Sequence, residues 1–161
     1  MLSSSRRSVL VLLALAGCGF TPALGTGGPA QRLIGAVRAA DPRDQLDFDF
    51  VRRIEDRFGR PDAAGYDLAY TIATASEGVA ITAEGAITRY NLTGSVDWKL
   101  TRAGDGIRLA GGTEDSFTSY SATGSTVAGL TARQDAARRL MVILADHVVA
   151  RLMVASAGFP E

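Results

Sequence analysis

The chain is poor in the residues that build disulfides, metal centres and nucleophilic catalytic sites. Its 161 residues include one cysteine, Cys18, and one histidine, His147. A lone cysteine has no disulfide partner in the chain, and a lone histidine outside an HExxH sequence offers too few ligands for zinc. The serines between 116 and 125 lack a G-x-S-x-G context, and acidic pairs such as Glu114 and Asp115 carry no catalytic signature. We therefore expect no enzymatic activity, no cofactor and no bound metal.

The chain also lacks an excess of charge of either sign. Seventeen basic residues balance seventeen acidic ones, and every basic residue except Lys99 is an arginine. Without an overall basic excess, nucleic-acid binding is not expected. The glycine-rich stretches 104–106 and 111–112 lack the lysine and the strand-to-helix context of a phosphate-binding loop. We interpret both as hairpin turns.

Long apolar runs are scarce, and the one at the N-terminus is short. Val9 to Ala16 gives about eight apolar residues, against the roughly 20 that span a bilayer as a helix. This run follows Arg6 and Arg7 and leads through Gly17 to Cys18. A charged start, a short apolar middle and small residues before a cut site are typical of a secretory signal peptide. A cysteine directly after them is typical of a bacterial lipoprotein, so we expect cleavage before Cys18 and acylation of its thiol.

The predicted cleavage divides the chain into three parts. Residues 1–17 are the signal peptide, 18–32 a flexible glycine- and proline-containing leader, and 33–161 one folded domain with no other stretch that comes closer to a membrane span. The mature chain has fifteen basic and seventeen acidic residues, a net charge of about −2. Several acyl chains anchor a protein stably where one does not. Gly19 is not the aspartate that tends to retain lipoproteins in the inner membrane, so we expect the outer membrane.

Two alternatives for the N-terminus stay open. The first is an ordinary signal peptide followed by an incidental free thiol. The second is suggested by the paired arginines at positions 6 and 7, which faintly resemble a twin-arginine export signal. That route would imply export of a prefolded protein.

The sequence at the start of the domain predicts a strand followed by a helix. Leu33 to Val37 is predicted as a short first strand, and Asp41 with Pro42 as an N-cap and first helical position. The apolar residues that follow recur at helical spacing and end before Gly59. They are Leu46, Phe50, Val51, Ile54 and Phe58.

From Tyr66 onward the apolar period is two, which indicates three long antiparallel strands. The first strand changes phase near Gly78, where we expect a bulge or bend, and a turn is predicted at 83–85. In the second strand the even positions 90–100 are mostly apolar and the odd positions 89–99 polar.

The third strand and the last helix complete the predicted order. The strand is expected from Ile107 to Tyr120 with phase breaks at Gly111 and Gly112, and the helix from about Val127 to Ala155. The simplest assembly packs both amphipathic helices on the apolar face of the sheet. We therefore predict an α+β, two-layer sandwich with a mostly antiparallel sheet, in the order β-α-β-β-β-α, whose polar face stays available.

This order of elements resembles the LPS-assembly lipoprotein family LptE, also called RlpB. The likeness covers nearly all of the mature chain and depends on the order and spacing of weak signals. They are Cys18-Gly19-Phe20-Thr21-Pro22, a helix ending in Ile54-Glu55-Asp56-Arg57-Phe58-Gly59, Tyr66-Asp67-Leu68, Thr88-Arg89-Tyr90-Asn91-Leu92 leading to Trp98-Lys99-Leu100, and Ser119-Tyr120-Ser121 leading to Ser125-Thr126-Val127-Ala128 and Asp135-Ala136.

The resemblance implies a function without catalysis. Members of the family are anchored in the inner leaflet of the outer membrane and plug the LptD β-barrel in a one-to-one complex. They assist its assembly and bind lipopolysaccharide during transport to the cell surface. The alternative functions are a lipoprotein accessory of an ABC-type lipid transporter, and a twin-arginine-exported enzyme or cofactor carrier.

The candidate lipopolysaccharide contacts come from charge and strand parity. Arg89 and Lys99 share the polar face of the second long strand and can meet lipid phosphates. Arg102 and Arg108, which flank the next turn, are weaker candidates. Each of these side chains can equally be an ordinary solvated residue.

Overall fold

The computed structural model describes residue 25 and residues 27–160, so the predicted signal peptide and Cys18 lie outside the described residues. Six main elements follow in the predicted order, with a short 3-10 helix at each end, Pro29–Leu33 and Ser156–Gly158. The main elements are β1 (Val37–Ala39), α1 (Gln45–Phe58), β2 (Tyr66–Ile81), β3 (Ile87–Arg102), β4 (Arg108–Ser121) and α2 (Thr126–Ala155).

The four strands form one sheet in the order β1-β2-β3-β4. β1 runs parallel to β2, and the other two pairings are antiparallel. The register of β2 against β3 shifts between Gly78 and Ala80, which confirms the irregularity predicted near Gly78.

The hairpin turn predicted at Gly111 and Gly112 is wrong, because both lie within β4, and the phase break predicted around them lies two residues before Gly111. These glycines pair regularly with Lys99 and Trp98, and the shift lies instead beside Leu109, which has no partner on β3. At Gly111 the guanidinium of Arg108 occupies the place of a Cβ, whereas at Gly112 a Cβ would meet only ordinary contacts. A Cβ on Gly112 would lie 3.7 Å from the indole Nε1 of Trp98.

The first predicted strand is also misplaced. Leu33 ends the first 3-10 helix, and the strand begins only at Val37. Gly35 lies between them with φ +66°, a left-handed conformation that interrupts an extended run. Ala30 and Leu33 are fully buried, so packed structure begins inside the stretch expected to be a flexible leader.

Helix α1 begins at the N-cap Asp44, not at the predicted Asp41. The carboxylate of Asp44 accepts a 2.9 Å hydrogen bond from the backbone N–H of Asp47, whose own carboxylate accepts from the backbone N–H of Arg43 at 3.1 Å. The backbone N–H of Arg43, before the helix, and that of Asp47, in its first turn, therefore both have a carboxylate acceptor. The predicted end is confirmed, because Gly59 follows the last helical residue with φ +80°.

Both helices pack on the same face of the sheet, so the α+β two-layer prediction is confirmed. The even residues of β3 form the centre of the buried layer, and α2 crosses above them. The core of β3 and α2 contains Leu92, Val96, Trp98, Leu100, Ala136, Leu140, Met141, Leu144, Ala145, Val148, Val149 and Leu152. Arg53 of α1 donates two hydrogen bonds, of 3.0 and 2.9 Å, to the carboxylate of Asp146 on α2 and so joins the two helices.

The segment Thr126–Gly158 is, within the described part of the chain, the one helix long and apolar enough to cross a bilayer by length and composition. The prediction that no other stretch comes closer to a membrane span than the N-terminal run is therefore wrong. In the fold, a continuous side of this helix packs against the sheet and α1, including Leu140, Leu144 and Val148. Its apolar content therefore reflects its place in the core.

Candidate interaction surface on the open sheet face

The odd residues of β3 and the residues paired with them on β2 and β4, including Arg108 opposite Thr101, form the sheet surface that no helix covers, here called the open face. Most of its side chains are small and uncharged, so the surface is flat. They include Ala69, Thr71, Ala73, Ala75, Thr93, Ser95 and Thr113. The large apolar side chains on it are Phe117, with 63% of its surface exposed, and the paired Ile81 and Ile87 at one end, 65% and 39% exposed. This predicted polar face is therefore mostly smooth, and its charged side chains are four acidic and three basic ones: Asp67, Glu77, Asp97, Asp115, Arg89, Lys99 and Arg108.

Lys99 and Arg108 come together at one end of the open face. Gly111 lies directly opposite Lys99 in the register, and the guanidinium of Arg108 lies across Gly111. A Cβ added to Gly111 would stand 3.0 Å from Arg108 Nε and 2.9 Å from the carbonyl oxygen of Trp98. Because Gly111 has no side chain, the guanidinium of Arg108 can occupy that space and lie beside Lys99.

The two cations border a shallow depression that also contains Asp97, Thr71 and Thr113. The carboxylate of Asp97 accepts a hydrogen bond from the hydroxyl of Thr113. Among the described residues, no carboxylate lies within 4.0 Å of the charged groups of Lys99 or Arg108. Two cations without ion-pair partners, next to hydroxyl groups, suit the binding of a phosphate.

The structure does not bring Arg89 and Lys99 together. They share the open face, but ten residues of strand separate them, about 33 Å at 3.3 Å per residue. Arg89 lines a separate depression with Asn91 and Ser119. Arg102 forms an ion pair of 3.2 Å with Asp105 in the adjacent turn, which occupies its charge.

The closeness of Arg108 to Lys99 could not be predicted from the sequence, because it depends on the register of β3 against β4. The sequence does carry one sign of it, Gly111, three residues after Arg108. Strand periodicity alone interprets this glycine as a phase break. The other candidate, Cys18, lies outside the described residues. Within residue 25 and residues 27–160, no group of three His, Cys, Asp or Glu side chains is placed to hold a metal ion.

Comparison with known proteins gives both a family and a fold. The family described as LptE, lipopolysaccharide-assembly, matches residues 35–152. A search of curated proteins found no match.

Three solved structures illustrate the shared fold. A lipoprotein from Caulobacter crescentus aligns with a TM-score of 0.68 at 19% identity, covering 82% of this chain and 100% of that one. The rare lipoprotein B from Shewanella oneidensis aligns with a TM-score of 0.60 at 12% identity, covering 76% and 96%. Lipoprotein B from Nitrosomonas europaea aligns with a TM-score of 0.56 at 9% identity, covering 76% and 83%. At these identities the likeness shows the fold alone.

Proposed function

The chain belongs to the LptE family of lipopolysaccharide-assembly proteins, and we propose that it is a non-catalytic lipoprotein that plugs and helps assemble the LptD β-barrel. The family match over residues 35–152 carries this proposal. In this role the protein binds lipopolysaccharide and assists its insertion into the outer leaflet of the outer membrane.

The shape of the domain supports a position inside a wide barrel. β3 has sixteen residues, about 53 Å at 3.3 Å per residue, and α2 has thirty, about 45 Å at 1.5 Å per residue. Both long elements lie in one two-layer body, and large outer-membrane barrels have a polar lumen. The open face, made mostly of small polar side chains and alanine, is compatible with such a wall.

The charged groups of the open face support contact with lipopolysaccharide phosphates. Lys99 and Arg108 together offer two cations to one phosphate, and the arginine is able to bind it through two parallel N–H groups. Arg89 provides a separate contact near the other end of β3. Each contact is a separate part of the proposed function.

The proposed location is the periplasmic face of the outer membrane. Lipid on Cys18 holds the N-terminus at the inner leaflet, and the leader joins it to the first buried residue, Ala30. This arrangement keeps the plug beside the barrel that it enters.

Affinity purification of the tagged full chain from outer membranes in mild detergent tests the proposal. Quantitative mass spectrometry is expected to show LptD at about one copy per copy of the chain. Recovery without any barrel protein from well-solubilised membranes would contradict the plug function. Recovery with inner-membrane ABC transporter components instead would favour the accessory function, and a bound chromophore or metal would favour the exported enzyme or cofactor carrier.

A further inference from the structure

One edge of the sheet is left without a partner over most of its length. β1 pairs with only three residues of β2, Tyr66 to Leu68, and its last contact is the hydrogen bond from the N–H of Ala40 to the carbonyl of Leu68. Beyond this point, residues 70–81 of β2 have β3 on one side and, within residue 25 and residues 27–160, no strand on the other. We call residues 70–76, up to the bulge, the free edge.

Strand alternation identifies the backbone groups that the free edge presents. The N–H of Tyr66 donates to Ala36, and the carbonyl of Leu68 accepts from Ala40, so the even residues of β2 turn their N–H and C=O groups away from β3. Ile72, Thr74 and Ser76 continue this parity. In the described part of the chain, these outward N–H and C=O groups have no hydrogen-bond partner.

The opposite edge of the sheet, formed by β4, is covered by α2. α2 lies against β4, where Arg139 donates to the carbonyl of Ser119 at 3.3 Å and Arg151 pairs with Glu114 at 3.1 Å. Folded proteins normally protect exposed edges with charged side chains, prolines or covering elements. The free edge has neither of the first two, because residues 70–76 include no charged residue and no proline.

An apolar groove runs beside the free edge on the helix side of the sheet. Thr74 of β2, Leu92 of β3 and Leu130 of α2 line it, together with Leu46. The side chain of Leu130 is 56% exposed. A strand that added to the edge would point every second side chain into this groove, because alternate residues of a strand face opposite sides.

The chemistry of the groove defines its occupant. Arg133 lines the groove and forms no ion pair among the described residues. An incoming extended segment would pair with the backbone N–H and C=O groups of the free edge. Apolar residues at its alternate positions would fill the groove, and one acidic group would pair with Arg133. A second copy paired through its own β2 would offer Thr74 and Ser76 to the groove, which are polar and fit it poorly.

We propose that the free edge of β2 binds an extended strand from a partner polypeptide by β-strand addition. The bound segment presents apolar side chains to the groove lined by Leu92 and Leu130, and an acidic group to Arg133. This interaction goes beyond the plug function and does not require it, since the recognition elements are the backbone and the groove of this chain.

The test uses the isotope-labelled full chain in detergent and a defined peptide. The probe has nine residues, alternates valine and threonine, and ends in aspartate; the control peptide has the same sequence with N-methyl groups at the valines. In amide hydrogen exchange, the probe is expected to protect Ile72, Thr74 and Ser76, while Ala73 and Ala75, which face β3, change little. The control peptide is expected to protect none of them.

Two pairs of variants test the site independently of the fold. Leu130→Glu is expected to weaken peptide binding by about tenfold, whereas Val127→Glu, at a site on the same helix that does not line the groove, leaves it unchanged. Thr74→Pro removes one edge N–H and is expected to abolish binding, whereas Thr74→Ser retains it. Because Leu130 is largely exposed, its variant keeps the test valid if the proline variant does not fold.

Three outcomes would overturn the proposal. The first is no protection of the even residues at saturating peptide. The second is equal weakening by the Leu130 and Val127 variants. The third is protection of the even residues without peptide that rises with protein concentration, which would assign the edge to a second copy of the chain.

Discussion

Gly94 of β3 lies directly beneath Leu140 of α2. A Cβ on Gly94 would stand 2.9 Å from Cδ2 of Leu140 and 3.1 Å from Cδ1 of Leu144. Both leucines are fully buried. The absence of a side chain at this one position on the apolar side of β3 therefore allows the helix to approach the sheet closely.

Gly94→Ala is expected to reduce the free energy of unfolding by about 1–3 kcal/mol, because the added methyl group overpacks the contact with Leu140. Urea denaturation of the wild-type and variant chains measures this difference. The matched control is Gly129→Ala in α2, where no atom lies within 4 Å of the added Cβ. The control is expected to gain about 0.5–1 kcal/mol from the higher helix propensity of alanine. Equal stability of Gly94→Ala and wild type would contradict the close approach.

Tyr70 has a buried hydroxyl group with no hydrogen-bond partner in the described part of the chain. Its ring packs 4.9 Å from that of Phe50, and burial raises the pKa of the hydroxyl to about 12 from the ordinary 10. The unfolded chain therefore releases this proton at lower pH than the folded chain. The contribution of neutral Tyr70 to stability is complete below about pH 10 and is lost as the pH rises from 10 to 12.

Tyr70→Phe is expected to remove this part of the alkaline loss and to raise stability at neutral pH by about 1 kcal/mol, because an unsatisfied buried hydroxyl is costly. The free energy of unfolding at pH 7, 9 and 11 measures both effects. Tyr90→Phe is the control, since that ring stacks on Tyr120 and is only half-buried. A variant that loses as much stability as wild type between pH 9 and 11 would show that Tyr70 does not carry the effect.

The double variant Lys99→Gln, Arg108→Gln is expected to weaken binding of purified lipopolysaccharide by about tenfold at low salt, because charge-assisted hydrogen bonds to phosphate are lost. The difference shrinks as ionic strength rises. Arg138→Gln, which removes an exposed charge from α2 and not from the open face, is the control. Arg89→Gln tests the separate contact in the same assay. Unchanged affinity of the double variant for lipopolysaccharide would show that Lys99 and Arg108 are ordinary solvated residues.

Cys18→Ala is expected to release the chain from the membrane into the soluble periplasmic fraction, because the acylated thiol is lost. Metabolic labelling with palmitate, followed by membrane fractionation, measures acylation and location together. Thr21→Ala, three residues downstream, is the control and keeps the label. A Cys18→Ala chain that still incorporates palmitate would contradict the predicted site of acylation.

Local sequence pattern alone determined the three long strands, the end of α1 and the last helix, with the sides that they bury. In β3 the even residues from Leu92 to Leu100 are apolar or glycine and the odd ones are polar, so the inner and outer faces followed from period two. The end of α1 followed from Gly59, and the family resemblance from elements in order along the chain. These features depend on neighbours in sequence, which is why the sequence suffices for them.

The tertiary structure alone decided the features that depend on pairing between distant segments. The parallel pairing of β1 with Tyr66–Leu68, the convergence of Arg108 on Lys99 across Gly111, and the free edge beyond Leu68 all follow from strand order and register. A shift of one residue in register would turn every side chain to the opposite face. The sequence therefore determined what each strand carries, whereas the assembled sheet decided which of those groups meet and which are left unpartnered.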